Sequence, residues 1–179
     1  MDQAPALDQW TELLRDTLCG LRRERRRPLR LAIVGLGDRN RGDDGAGCCV
    51  LGELEALRCD RLLLHDGRDS LVEVASALRG FVPDLVLLID AGRFGAPSGH
   101  VRWLTWDQVS AGDGAERQQD ALLAPLAGYV RKTLGCPVII LGIQCRQSVI
   151  PDYMTPNVAR AAFHAGAMLN ELLPHFIYV

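Results

Sequence analysis

Two aspartates stand where turns follow apolar runs. Asp44 lies in Gly42-Asp43-Asp44-Gly45-Ala46-Gly47, shortly after the run Leu29–Val34, and Asp90 closes Leu85-Val86-Leu87-Leu88-Ile89. Carboxylates from two separate strand-end loops can converge on one hard or borderline divalent ion. The glycines around Asp44 allow a tight turn and leave space for another chain. The structural alternative is plain: Asp43 caps the helix that follows it, and Asp90 caps a turn. Capping preferences favour that alternative for Asp43. For Asp44 and Asp90 both readings stay open on residue type alone.

Other chemistries fit poorly. Gly35-Leu36-Gly37-Asp38-Arg39-Asn40 begins like a dinucleotide fingerprint, but Asn40 takes the place of the third glycine. Asp43 and Asp44 would then put negative charge where a pyrophosphate must sit, and no Gly-Lys-Ser/Thr pattern is present. A small-molecule-binding α/β module is therefore disfavoured. The six cysteines contain no C-x-x-C pair, so they suggest neither a zinc cage nor a disulfide framework. They read as small buried hydrophobes in a reducing compartment. No serine or cysteine triad is apparent.

The elements that must position Asp44 and Asp90 follow from periodicity. Residues 7–26 form an amphipathic helix with a Trp10, Leu13, Leu14, Leu18, Leu21 stripe, stopped by Pro28. The run Arg22-Arg23-Glu24-Arg25-Arg26-Arg27 reads as its solvated end, with docking of an acidic partner as the sharper alternative. Strands are expected at 30–35, 62–65, 85–90 and 138–143, and a half-exposed one at 101–105 after a hairpin-like loop, Gly92 to Gly99. Helices are expected from about Gly47 to Leu57, from Leu71 to Leu78 with Ser70 as cap, and from Ala121 to Leu134. Ser110 to Asp120 reads as a mobile loop. Thr155-Pro156 marks a last helix running to Leu173. This alternation predicts a three-layer α/β sandwich, a mostly parallel twisted sheet between helices, plus an extra N-terminal helix. Residues 1–28 are a helical extension and 29–179 the α/β domain. Ligands gather in such folds at the C-terminal strand edge, where Asp44 and Asp90 fall.

With 179 residues and a formal net charge of −2, the chain suits one domain and argues against nucleic acid as partner. The polar start and the shortness of the apolar runs predict neither a signal peptide nor a membrane span, and so a cytoplasmic protein.

The ordered motifs resemble one family. Val34-Gly35-Leu36-Gly37-Asp38 followed by Gly42-Asp43-Asp44-Gly45-Ala46-Gly47 is similar to the opening signature of the hydrogenase maturation proteases. His65-Asp66-Gly67, Ile89-Asp90-Ala91, Leu141-Gly142-Ile143-Gln144 and Met154-Thr155-Pro156-Asn157-Val158 follow in the family's order. The agreement spans Arg30 to Leu173, and the helix at 7–26 is extra to it. The resemblance implies an endopeptidase, aspartyl-type or metal-dependent, that removes the C-terminal extension of a nickel-loaded hydrogenase large-subunit precursor. It implies that Asp44 and Asp90 are the catalytic, metal-binding acids, used by a monomer. The nickel is then carried by the substrate rather than held by the free enzyme.

One departure stands out. The family places a metal-binding histidine before the helix assigned to Ala121–Leu134, yet this chain has no histidine between His100 and His164. Gln118, Gln119 and Asp120 occupy that loop, and Asp120 is the candidate third ligand, with simple helix capping as its alternative. The missing histidine also opens a second reading, a non-catalytic relative that binds a hydrogenase precursor or assembly factor.

Overall fold

A computed structural model describes residues 9–67, 71–107, 123–145 and 153–178. The apolar runs form one five-stranded sheet, built from β1 (Leu31–Gly35), β2 (Leu62–Asp66), β3 (Leu85–Gly92), β4 (Val101–Thr105) and β5 (Val138–Gln144). Their spatial order is β2-β1-β3-β5-β4, parallel except for β4. β5 therefore separates β3 from β4, so the segment from Arg93 to His100 is a crossover and not the expected hairpin. The half-exposed β4 pairs antiparallel with β5 at one edge, where alternation suits a strand wetted on one face.

Helices α1 (Gln9–Arg25), α2 (Ala46–Leu54), α5 (Pro156–Leu172) and α6 (Pro174–Ile177) contribute to the core on one side of the sheet, against Leu31, Ile33, Leu87, Ile89 and Leu141. Helices α3 (Leu71–Phe81) and α4 (Leu123–Tyr129, widened to a π-helical turn over Val130–Leu134) cover Ala32, Val34, Val86, Leu88 and Ile140 on the other. Every residue of β3 is buried, as its unbroken apolar run requires. No helix among the described residues is long and apolar enough to cross a membrane.

The N-terminal helix is part of this core. It buries Trp10, Leu14, Leu18 and Leu21, each worth about 1.5–3 kcal/mol when fully buried. Thr11 completes the buried stripe and Leu13 is 41 % exposed, so the stripe is narrower than the sequence pattern suggested. The arginine run at its end is not merely solvated. Both guanidinium nitrogens of Arg27 donate to the buried Asp84 (2.8 and 2.9 Å), Arg25 lies 3.3 Å from the same carboxylate, and the Arg30 N–H donates to it at 2.9 Å. The turn after the helix is further fixed by Leu29 N–H donating to Phe176 O, which ties the start of the fold to its end.

Candidate active site

β1 leads through α2 to β2 on one side of it, and the chain then crosses to β3 on the other. The gap between the C-terminal ends of β1 and β3 is thus a topological switch point. Asp44 and Asp90 both belong to that edge. Asp44 sits half-buried in a 3₁₀ turn, Gly42–Gly45, that joins β1 to α2. Its Oδ2 accepts the Asp38 N–H at 2.9 Å, which closes the loop upon itself. The loop can close only because position 37 is glycine. Its φ is +93°, and a Cβ there would lie 1.9 Å from the Asp44 carbonyl oxygen.

Asp90 does not end its strand. β3 continues to Gly92 because pairing with β5 persists through Asp90↔Gly142, Ala91↔Ile143 and Gly92↔Gln144. Asp90 is therefore 1 % exposed and follows Val86 and Leu88 in the alternation, toward the face that α3 and α4 cover. Burying a carboxylate is costly, so an acid at this depth is seldom incidental. The β1 loop is locked onto the same place, since Leu36 N–H donates to Ile89 O at 2.8 Å. Gly47 permits that approach; its Cβ would stand 2.4 Å from Ile89 O.

Asp43 departs from expectation. It caps neither the 3₁₀ turn nor α2, both of which lack a side-chain cap. Instead its buried carboxylate accepts the Thr155 N–H at 2.6 Å and the Thr155 hydroxyl at 3.1 Å. Thr155 is the residue before α5, so Asp43 serves the start of a distant helix and fastens it to the β1 loop. Thr155 makes no side-chain cap of its own. Asp66, at the end of β2, pairs with Arg39 at 3.8 Å and lies 3.5 Å from the Cys48 sulfur. Burial first, and then the Asp66 charge, push the Cys48 thiol up to about 11. Cys145, following β5, is likewise raised by burial, then by Asp43 and more weakly by Asp90, against the opposing Arg93 charge. Gln144 enters the sequence reading only as the last residue of the motif Leu141-Gly142-Ile143-Gln144, yet it organises the edge. Its Oε1 accepts from Phe94 N–H and Ala96 N–H, and its Nε2 donates to Cys145 O. A buried amide at the end of a β-branched strand was the available signal.

Solved structures share this fold. HycI, a [NiFe] hydrogenase maturation protease from Thermococcus kodakarensis KOD1, superposes with a TM-score of 0.69 at 22 % identity, over 90 % of this chain and 98 % of that one. The fold is that of the hydrogenase maturation proteases. The HycI endopeptidase from Escherichia coli gives 0.63 at 23 % identity, over 80 % and 90 % of the two chains. The Escherichia coli hydrogenase maturating endopeptidase HybD gives 0.63 at 21 %, over 80 % and 93 %. No protein-family model and no curated protein sequence matches the chain.

Within this maturation-protease fold none of the four histidines belongs to the sequence segment immediately before α4. His65 is half-buried at the end of β2, His100 precedes β4, His164 lies in α5 and His175 in α6. Asp120 and the loop from Ser110 lie outside the described residues, as does Ser70. Among the described residues no group of three or more His, Cys, Asp or Glu side chains could hold a metal ion.

Proposed function

We propose that the chain is an endopeptidase that removes the C-terminal extension of a nickel-loaded hydrogenase large-subunit precursor. The observation that carries this reading is the placement of Asp44 and Asp90 at one switch-point edge of a sheet whose fold is shared with hydrogenase maturation proteases. Asp44 and Asp90 lend oxygen ligands to a nickel ion that the precursor already holds. The ion, as part of the substrate, polarises the scissile amide or its attacking water. Two carboxylates alone make an incomplete shell, which suits an enzyme that engages the ion only when the partner supplies the rest. Asp120, close before α4 in sequence, is the candidate third ligand. A carboxylate in place of imidazole favours harder ions such as manganese over nickel.

The test is cleavage of a nickel-loaded precursor by the purified protein. Wild type should cut, while Asp44→Asn and Asp90→Asn should lose on the order of a hundredfold or more at a temperature where both are folded. Normal cutting by both variants would remove these acids from the chemistry. The absent histidine favours one other reading, a relative that binds the precursor without cutting it. Binding without cleavage by wild type, together with cleavage by Asp120→His, would establish that reading instead.

A further inference from the structure

Beside the switch-point edge, on the far side of the Asp43–Thr155 clamp, lies a half-open cavity of about 340 Å³. The crossover after β3 forms one wall with Pro97, Ser98 and His100. One face of α5 forms the other, where Asn157, Arg160 and His164 recur at helical spacing. No described residue lining it is acidic, whereas the exposed Arg160 guanidinium is able to donate to an anion. Asn157 Oδ1 accepts from Arg160 Nη2 at 3.2 Å, which sets the guanidinium at the mouth. Apolar carbon from Pro97, Ala161 and the imidazole rings makes up the rest of the surface.

We propose that this cavity receives the free C-terminal carboxylate of a polypeptide together with its apolar last side chain. Resting on the endopeptidase reading above, the polypeptide is the precursor's tail. The volume is near the low end of the roughly 300–1,000 Å³ of small-ligand sites, enough for one carboxylate and one apolar side chain. Its walls are also fixed relative to the acids: Gly99 N–H donates to Gln144 O, Gln144 N–H donates to His100 O, and Asp43 holds the residue before α5. A tail seated here would measure its own length against the edge that carries Asp44 and Asp90, and so select the bond presented to them.

The experiment is an NMR titration of the full-length protein with N-acetyl-leucine, N-acetyl-leucinamide and the α-amide of N-acetyl-aspartate. The free acid should shift Gly99 and Asn157 resonances and bind on the order of tenfold more tightly than the leucinamide. Arg160→Gln should lose that margin while melting like wild type, since its one described bond is to exposed Asn157. Equal binding of acid and amide, or an unaffected Arg160→Gln, overturns the proposal. Tighter binding of the aspartate amide than of N-acetyl-leucine overturns it too, in favour of an acidic side chain. Asp90→Asn should keep the titration intact even where it abolishes cleavage. A protein that never cuts, yet binds the acid selectively, would thus refute the protease reading and leave the cavity assignment standing.

Discussion

Asp43 and Asp44 are neighbours in sequence with opposite expected roles, and replacing each by alanine separates them. Asp43→Ala removes two hydrogen bonds to a buried carboxylate and leaves the Thr155 N–H without its acceptor. Bonds to charged groups contribute roughly 1.5–3 kcal/mol each, and release from burying the charge offsets part of the sum. A net loss of about 2–4 kcal/mol follows, or roughly 4–16 °C in Tm for a domain of this size. Asp44→Ala loses a single bond to Asp38 N–H from a half-buried position, about 1 kcal/mol and roughly 2–4 °C. Calorimetric melts give the stabilities, and precursor cleavage at a temperature where both variants are folded gives the activities. Asp43→Ala should be the less stable protein but retain measurable cutting, whereas Asp44→Ala should be stable and inactive. A double-mutant cycle with Thr155→Val should return a coupling of about 0.5–3 kcal/mol to Asp43 and none to Asp44. Melting of Asp43→Ala with wild type, or coupling of Thr155→Val to Asp44 instead, would refute these roles.

Gly47→Ala would drive a methyl into the Ile89 and Leu36 carbonyl oxygens, both nearer than 3 Å. It should cost about 1–3 kcal/mol or more in chemical denaturation and lower cleavage by displacing β3 beside Asp90. Deleting residues 1–27 exposes the seat of Trp10, Leu14 and Leu18 and strips Asp84 of Arg25 and Arg27. The truncated chain should melt well below the full one, and an unchanged Tm would show the helix to be dispensable for the core. Burial holds Cys48 near 11 and Cys136 near 12, both above the ordinary 9.0, so the folded state grips these protons more tightly than the unfolded chain. That contribution is fully present below pH 9 and is lost as pH rises through about 11 for Cys48 and about 12 for Cys136. Urea midpoints at about pH 8 and about pH 10 should therefore diverge more for wild type than for the Cys48→Ala/Cys136→Ala variant.

The sheet was legible because Leu85–Ile89 and Val138–Ile143 are continuous runs that only a strand buried on both faces explains. The position of both acids at one edge follows from that alternation and needs no long-range information. What the sequence hides are partners far apart along the chain. Asp43 looks like any N-cap because its donor, Thr155, lies 112 positions away. Arg25 and Arg27 look like a wetted helix end until Asp84 arrives beneath them, and Asp84 in turn looks like the polar start of a strand. Asp90 looks like a strand terminus, since local composition cannot reveal that β5 goes on pairing for two more residues. The hairpin-like reading of the loop after β3 failed for the same reason: nothing near it announces that a later strand will be inserted.

The bond from Leu29 N–H to Phe176 O sets an order on the making of the molecule. α1 is the first described helix, but much of what covers it belongs to α5 and α6, the last two. At about 5–20 residues per second, α5 is finished on the order of ten seconds after α1 has been translated. Throughout that interval the Trp10–Leu18 stripe lacks much of its native cover. Completion of the core is therefore a late, long-range event, which favours slow folding and exposes apolar surface on the way. Chains released before α5 is complete should leave their first helix unprotected and become prime substrates for holding chaperones.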